Sequence, residues 1–489
     1  MQPLFLRTTL RAIETRALAA GLPLMERAGL AIAQFTHERT DLERRILVLA
    51  GPGHNGGDAL VAAAELTELN HAVDLLCWGA ETRSDTARVA YEQFLANGGR
   101  LLTALPRYAN WQMAIDGLFG IGLNRPLQGD WLSLIERINT CDLPVLAIDL
   151  PSGLCSDTGQ ILGAAIQANW TLSFIGLKPG LFTLQGRDHA GEIYLDTLGL
   201  TSENLAGANA QLVNQMPATI ARLRRPRHAH KGMFGDVGVI GGGLGMVGAP
   251  LLAGRAALLL GAGRVWVSAL AAGAPAYDPL MPELMFAPVD QLLEPDNLAA
   301  LVLGPGLGTE DVAVEALRQA LAGAVPLVLD ADALNLLAAH KPLARQLTKR
   351  RAPAILTPHP LEAARLLGCD TATIQADRLQ ATAELVKRYK ACVVLKGAGS
   401  IVSDGKQTYL NASGSPALSS PGQGDVLAGM IAALLAQGLS AIEAAQLGVY
   451  LHGRAGDVAE QTGTGPIGHT ASETAQFARR LLNQAVLAL

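Results

Sequence analysis

Gly422-Gln423-Gly424-Asp425-Val426-Leu427-Ala428-Gly429 stands where a loop gives way to an almost wholly helical C-terminal region. Glycines ahead of a helix let the backbone come close to a ligand. The N–H groups of the helix's first turn, together with its dipole, favour an anion such as phosphate. Asp425 then sits where a carboxylate can accept a proton from a substrate hydroxyl as phosphoryl transfer begins. The plainer reading is an acidic residue favoured by the dipole alone, which leaves the glycines without a reason.

Upstream of this turn, short apolar runs alternate with Ala/Leu-rich helical stretches. Residues 237–240, 265–268, 301–303, 327–329 and 355–357 read as strands, and 392–403 as a strand, a glycine loop and a second strand. Near-continuous apolar strands separated by helices imply a parallel sheet covered on both faces. The first half repeats the pattern, with strands expected at 46–50, 73–78, 113–115, 145–148 and 171–174. It loosens after Gly199, and the basic run Arg222-Leu223-Arg224-Arg225-Pro226-Arg227-His228 reads as a solvated linker. The expectation is two α/β domains, 1–215 and 216–489.

A chain of 489 residues exceeds one ordinary core. Hydrophobic residues make up 49% and charged residues 17%, which excludes a disordered chain. Lys+Arg 38 against Asp+Glu 43 leaves a net charge of -5 and gives no sign of a nucleic-acid partner. Five scattered cysteines without CxxC spacing fit reduced thiols in the cytoplasm. Arg7, Arg11, Glu14 and Arg16 interrupt any signal-peptide core. The uncharged stretches 237–254 and 426–442 are broken by glycines and polar residues, so buried elements are expected there in place of membrane spans.

Directly after the first expected strand comes Gly51-Pro52-Gly53-His54-Asn55-Gly56-Gly57-Asp58. Its nominal G-x-G-x-x-G is weak evidence alone, since a tight strand-to-helix turn needs glycines too. Asp116 ends a second strand and leads into Gly117-Leu118-Phe119-Gly120-Ile121-Gly122-Leu123, and Asp149 ends a third and leads into Leu150-Pro151-Ser152-Gly153. Ligands of parallel sheets gather beyond the carboxyl ends of strands. A single strand-end Asp is often a helix cap, but several delivered to one edge suggest an oxygen-rich site suited to a hard cation. In the second half, Gly304-Pro-Gly-Leu-Gly308, Asp330-Ala-Asp-Ala-Leu-Asn335, Thr357-Pro-His-Pro360 and Lys396-Gly-Ala-Gly-Ser400 end further strands and point to one long cleft. Gly243, Gly245 and Gly248 form another nominal G-x-G-x-x-G, but no acidic residue suitably ends a following strand.

The first-half motifs resemble the NAD(P)HX epimerase domain, which implies a Rossmann-like three-layer fold. The resemblance implies a potassium ion bound through Asn55, Asp116 and Ser152. It also implies substrate contacts along His54, Asn55, Gly56, Gly57 and Asp58 and along Gly120, Ile121, Gly122, Leu123, Asn124, Arg125 and Pro126, with Asp149 as catalytic acid/base. NAD(P)HX is hydrated at C6 of the nicotinamide ring. Interconverting its epimers needs proton transfer at that oxygen and stabilisation of charge as the centre opens.

The second-half motifs resemble the ribokinase-like superfamily and, more closely, ADP/ATP-dependent NAD(P)HX dehydratase. That likeness implies nucleotide binding by Lys396, Gly397, Ala398, Gly399 and Ser400, with Gly424 at the phosphates. Ala249, Gly308, His359 and Asp425 would face the hydrated cofactor. Magnesium would accompany ADP or ATP. The implied reaction is phosphorylation of the C6 hydroxyl assisted by Asp425, then loss of phosphate as the dihydropyridine is restored. His54, Ala59, Leu361 and Gln423 stand where the families tend to carry other residues. Together the two resemblances imply repair of both epimers of NADHX and NADPHX by a cytoplasmic homo-oligomer. Left open are a kinase of a small hydroxymethyl metabolite and, for the first domain, a scaffold role of the kind found in RNA processing.

Overall fold

The computed structural model describes residues 1–79, 84–106, 110–294 and 298–489. They form two compact units, Gln2–Ala210 and Gln211–Leu489.

In the first unit, β1 (Arg45–Ala50), β2 (Val73–Cys77), β3 (Arg100–Leu102), β4 (Trp111–Gly117), β5 (Val145–Ile148), β6 (Trp170–Phe174) and β7 (Glu192–Asp196) lie in the order β3-β2-β1-β4-β5-β6-β7. Neighbouring strands are parallel. The period-2 alternation of a strand sends side chains to both faces. Ile46, Val48 and Ala50 pack with residues of α1 (Arg7–Ala19) and α2 (His54–Glu68). Leu47 and Leu49 pack on the other side with Ile135 and Ile138 of α3 (Asp130–Asn139). Past Arg45 all five β1 side chains, from Ile46 to Ala50, are fully buried, which is why that run is apolar without interruption. Strand order reverses between β1 and β4, so a crevice opens beyond their carboxyl ends.

In the second unit, β8 (Ala210–Val213), β9 (Asp236–Gly241), β10 (Arg264–Ala269), β11 (Met285–Phe286), β12 (Ala300–Leu303), β13 (Leu327–Leu329), β14 (Ala354–Leu356), β15 (Cys392–Leu395), β16 (Ile401–Ser403) and β17 (Thr408–Asn411) run in the order β8-β17-β16-β15-β14-β13-β12-β9-β10-β11. The sheet is parallel from β11 to β15, and β15-β16-β17 form an antiparallel meander. Here the order reverses between β9 and β12. One face is covered by α4 (Gly248–Leu259) and by a later helix, α7, whose range is Gln423–Ala436. That helix is apolar all round because it is buried all round. A Cβ on Gly429 would stand 2.0 Å from the Ala253 carbonyl oxygen, so glycine is what lets α7 and α4 approach this closely.

The basic run at 222–228 is more than a solvated linker. Leu223 is buried, Arg222 bonds Glu443 at 2.7 Å, and the Arg225 guanidinium lies 3.7 Å from the Phe234 ring centroid while bonding the Gly261 carbonyl. Pairing with groups far along the chain, invisible to a local reading, ties the run down. No helix of the described residues is long and apolar enough to cross a membrane, and Cys141, Cys155, Cys369 and Cys392 are free thiols.

Candidate functional site

The first site forms at the crevice between β1 and β4. Gly51 and Gly56 bring the turn after β1 close to the chain after β4: a Cβ on Gly51 would meet the Leu118 carbonyl oxygen at 1.8 Å, and one on Gly56 the Gly51 oxygen at 1.9 Å. Gly57 leaves room for Met25, and Gly117 for Ala59, one of the residues that departs from the family pattern. Asn55, in the first turn of α2, lies against Gly120, and its buried Nδ2 has no hydrogen-bond partner. Asp116 is fully buried. Its Oδ1 accepts from Ser152 Oγ at 2.6 Å and its Oδ2 from Ser152 N at 2.8 Å. Burial raises its carboxyl to about 6 despite the bonds from Ser152. The Asp116 carboxylate, the Ser152 hydroxyl and the Asn55 amide oxygen are oxygen donors of the kind a hard cation takes, whereas the orphaned Asn55 Nδ2 is a hydrogen-bond donor and no cation ligand.

Asp149 occupies a strained position. Its φ is 68°, and Leu150 N bonds Ile148 O across it at 2.8 Å, a tight three-residue turn. The end of β6 repeats the device: Ile175 has φ 66° and is spanned by Gly176 N to Phe174 O at 2.6 Å. A β-branched residue in this region is a true outlier. The second turn leads to Lys178, which is 1% exposed and ion-pairs with Asp149. Its ammonium also donates to Phe174 O at 2.9 Å and Ser173 Oγ at 3.0 Å. Glu14 of α1 and Asp58 of α2 complete the cluster. Burial, then Asp149, raises the Glu14 carboxyl, and burial, then Asp149 and Glu14, raises Asp58 well above the usual range.

The structure thus brings Asn55, Asp116, Ser152 and Gly120 together, and Asp58 together with Asp149. His54 is exposed at the start of α2, within electrostatic reach of Glu14. Gly122 lies near Arg11, Ile121 is half-buried against the core, and Leu123 N bonds Gly120 O. Asn124, Arg125 and Pro126 are exposed on the loop beyond. Sequence reasoning missed Lys178 and Glu14. The signal for Lys178 was a lone lysine in the apolar run Phe174-Ile-Gly-Leu-Lys-Pro-Gly180. Glu14 stands on an amphipathic helix and gave none.

The second site lies at the carboxyl ends of β9, β12, β13, β14 and β15. Gly422 caps α7 with φ 85°, in the left-handed region that glycine supplies freely. Gly424 lies one Cβ away from the site: that atom would be 3.2 Å from Lys396 Nζ and 3.3 Å from Asp330 Oδ2. Lys396 Nζ bonds Asp330 Oδ1 at 2.7 Å and lies 3.8 Å from Glu362 Oε2. Thr357 Oγ1 donates to the same Asp330 oxygen at 2.8 Å. Burial lowers Lys396, but Asp330 and Glu362 more than offset it and the ammonium is held firmly charged. Asp425 differs: burial first, then Asp330, raises its carboxyl to about 7, with Lys396 opposing. It can therefore exchange a proton near neutrality.

His359 caps α5 (Pro360–Leu367). Its Nδ1 accepts from Leu361 N at 3.1 Å and Glu362 N at 3.4 Å, while His359 N donates to Glu362 Oε2 at 2.7 Å. An accepting Nδ1 fixes the tautomer with its proton on Nε2, which is 3.3 Å from Glu362 Oε1. Burial and Lys396 lower its pKa, so the ring is neutral. Ala249 meets Gly306 at the β9/β12 switch point, and Gly308 lies two residues further along the same turn. Gly308 N donates to Asp332 Oδ2 at 2.8 Å, and a Cβ on Gly306 would lie 3.2 Å from that of Ala249. Gly397, Ala398, Gly399 and Ser400 form the β15–β16 turn, where Ser400 Oγ lies 3.3 Å from Gly397 N. Gln423 is buried and donates to Ser420 Oγ at 2.9 Å. Glu362 was not singled out from sequence; a capping glutamate next to a proline gives no chemical signal.

The second unit is a parallel α/β sheet in which a glycine-capped helix sets a carboxylate of raised pKa beside a Lys–Asp pair. The preceding unit is a Rossmann-like three-layer domain. The NAD(P)H-hydrate dehydratase family matches residues 237–476, and the YjeF-related protein N-terminus family matches residues 21–180. The bifunctional NAD(P)H-hydrate repair enzyme of Coxiella burnetii is 36% identical over 99% of this chain and 100% of its own. That of Escherichia coli K12 is 38% identical over 89% of this chain and 84% of its own. A crystal structure of ADP/ATP-dependent NAD(P)H-hydrate dehydratase from Bacillus subtilis, co-crystallised with ATP and Mg2+, is 27% identical, covering 56% of this chain and 99% of that chain with a TM-score of 0.46. The chain belongs to the bifunctional NAD(P)H-hydrate repair enzyme family.

Proposed function

We propose that residues 1–215 epimerise the R and S forms of NADHX and NADPHX, and that residues 216–489 dehydrate the S form to NAD(P)H at the expense of ADP or ATP. The observation that carries the dehydratase assignment is Asp425, raised to about 7 at the glycine-capped start of α7. Ionised, it takes the proton of the C6 hydroxyl as that oxygen attacks the terminal phosphoryl group. Phosphate then leaves with the C6–O bond pair as the ring nitrogen's lone pair forms an iminium, and loss of a proton from C5 to water gives the C5–C6 double bond of the dihydropyridine. Lys396–Ser400 and Gly424 hold the nucleotide. Ala249, Gly308 and His359 position the substrate, His359 through a neutral ring. Magnesium arrives with the phosphates, since it keeps waters and needs few protein ligands.

In the first unit Asp149 moves the proton at the C6 oxygen, and its ion pair with Lys178 holds it in place. Contacts to the substrate come from 54–58 and 120–126. Asn55, Asp116 and Ser152 would hold a potassium ion, which supplies a fixed positive charge at the crevice. The protein is proposed to be a cytoplasmic homo-oligomer. Incubating mixed NADHX epimers with ADP or ATP and magnesium tests the whole reading. Both epimers should disappear as NADH forms, and a stable phosphorylated product without NADH would favour a small-molecule kinase.

A further inference from the structure

Among the described residues the largest fully buried side chain is that of Arg378, the first residue of α6 (Arg378–Tyr389), only 2% exposed. Burying a guanidinium costs several kcal/mol unless its donors are satisfied. Here the bonds of both Nη atoms converge on one loop. Nη2 donates to Leu395 O and Lys396 O, each at 3.2 Å, and Nη1 donates to Ala398 O. A Cβ on Gly397 would stand 3.0 Å from Nη2, so the loop closes directly onto the guanidinium. Gly397 and Gly399, with φ 140° and 69°, provide the conformations that let successive carbonyls turn to one point.

A trans peptide points its N–H opposite to its C=O. Holding the carbonyls of Lys396 and Ala398 therefore turns the N–H groups of Gly397 and Gly399 away from the guanidinium, that of Gly397 onto Ser400 Oγ at 3.3 Å within the loop. The peptide before them obeys the same geometry: Leu395 O faces Arg378, and Lys396 N bonds Pro358 O at 2.9 Å on the other side. We propose that Arg378 is a positioning residue for nucleotide binding, which orients the peptide planes of the 396–400 loop so that their amide donors meet the oxygen atoms of a nucleoside di- or triphosphate. This rests on the reading of 396–400 as the nucleotide loop. Arginine suits the task because its planar fork reaches several carbonyls at once, which a lysine ammonium or a glutamine amide cannot do in the same geometry. Burial lowers its pKa to about 10, which leaves it charged at neutral pH.

The test compares Arg378→Met and Arg378→Lys with Gly399→Val in the full chain, reading NADH recovery at varied ADP or ATP and at varied (S)-NADHX. Circular dichroism and thermal melting report folding. The expected result for Arg378→Met is a nucleotide KM raised about tenfold or more, with kcat at saturating nucleotide within about twofold and the NADHX KM unchanged. Arg378→Lys should fall between wild type and Arg378→Met, and it decides the matter if the Met variant does not fold. Faster hydrogen exchange in 396–400 should accompany the KM change. A merely structural role predicts loss of active enzyme with both KM values unmoved, and that outcome overturns the proposal. If Gly399→Val raises the nucleotide KM while folded Arg378 variants do not, the positioning role fails and the loop assignment stands. If none of the three variants moves the nucleotide KM, the loop assignment itself fails.

Discussion

At the residue scale, two carboxylates carry the account, and each is set by its surroundings. Asp425 is raised to about 7 by burial and by Asp330. Acting as a base, it must be ionised, so dehydratase kcat/KM should rise with pH through about 7 and level off above. Asp330→Asn removes a negative charge beside Asp425 and should move that acidic limb to lower pH, whatever it does to the maximal rate. A limb that stays in place would detach Asp425 from the pH dependence. In the first unit, Lys178 is wholly buried against Asp149, which is itself 14% exposed. Lys178→Met leaves that carboxylate unpaired. Breaking a buried pair costs about 3–5 kcal/mol, discounted here toward the lower end for the solvent that reaches Asp149. Epimer exchange should be lost and ADP-dependent dehydration of the S epimer retained, as chromatography of the epimers would show. Neither Lys178 nor Arg378 was legible in the sequence as a buried charge. A lone lysine or arginine reads as solvated until tertiary partners appear: the main-chain carbonyls around Arg378 have no local signature, and the apolar run around Lys178 does not name Asp149 as its partner.

At the scale of elements, His359 joins structure to chemistry. Its imidazole caps α5, and N-cap loss typically costs about 1 kcal/mol. His359→Ala should lower the melting temperature, whereas His359→Asn, which keeps a side-chain acceptor, should restore stability without restoring NADHX affinity. Equal recovery of both would reduce His359 to a cap. The elements themselves divide by burial. Central strands such as β1, β13 and β15 are buried on both faces, so their apolar runs identified them. The strands β3, β7 and β17 escaped notice because they are partly exposed and mix polar residues with apolar ones. The basic run at 222–228 looked like a linker because its anchors, Glu443 and Phe234, are not its neighbours in sequence. The Gly422–Asp425 turn was legible in full, since a left-handed cap and a first-turn carboxylate are local properties of the chain.

At the scale of the whole molecule, two α/β units place their sites by one rule: strand order reverses, and polar strand ends meet beyond the reversal. The chemistry proposed for each site needs no residue of the other unit, so their ligands should stabilise them separately. Asp116, raised to about 6, binds a proton more tightly in the folded than in the unfolded state. Its contribution is therefore fully present below the ordinary carboxyl range and lost as pH rises through about 6. The proposed potassium ion at Asn55, Asp116 and Ser152 would compensate the ionised form. Exchanging sodium for potassium should thus raise the melting temperature of the first unit more at about pH 8 than at about pH 5, by the mass-action stabilisation of about 2.7 kcal/mol at a hundredfold excess over Kd. No potassium effect at either pH would remove the cation from the site. The most direct test of the central claim, two separable steps of one repair, uses Asp425→Ala. Mixed NADHX epimers are incubated with that variant, ADP and magnesium, and each epimer and NADH are followed by chromatography. The account predicts that R and S continue to interconvert while no NADH forms. Substantial NADH, or arrest of epimer exchange in the folded variant, would contradict it.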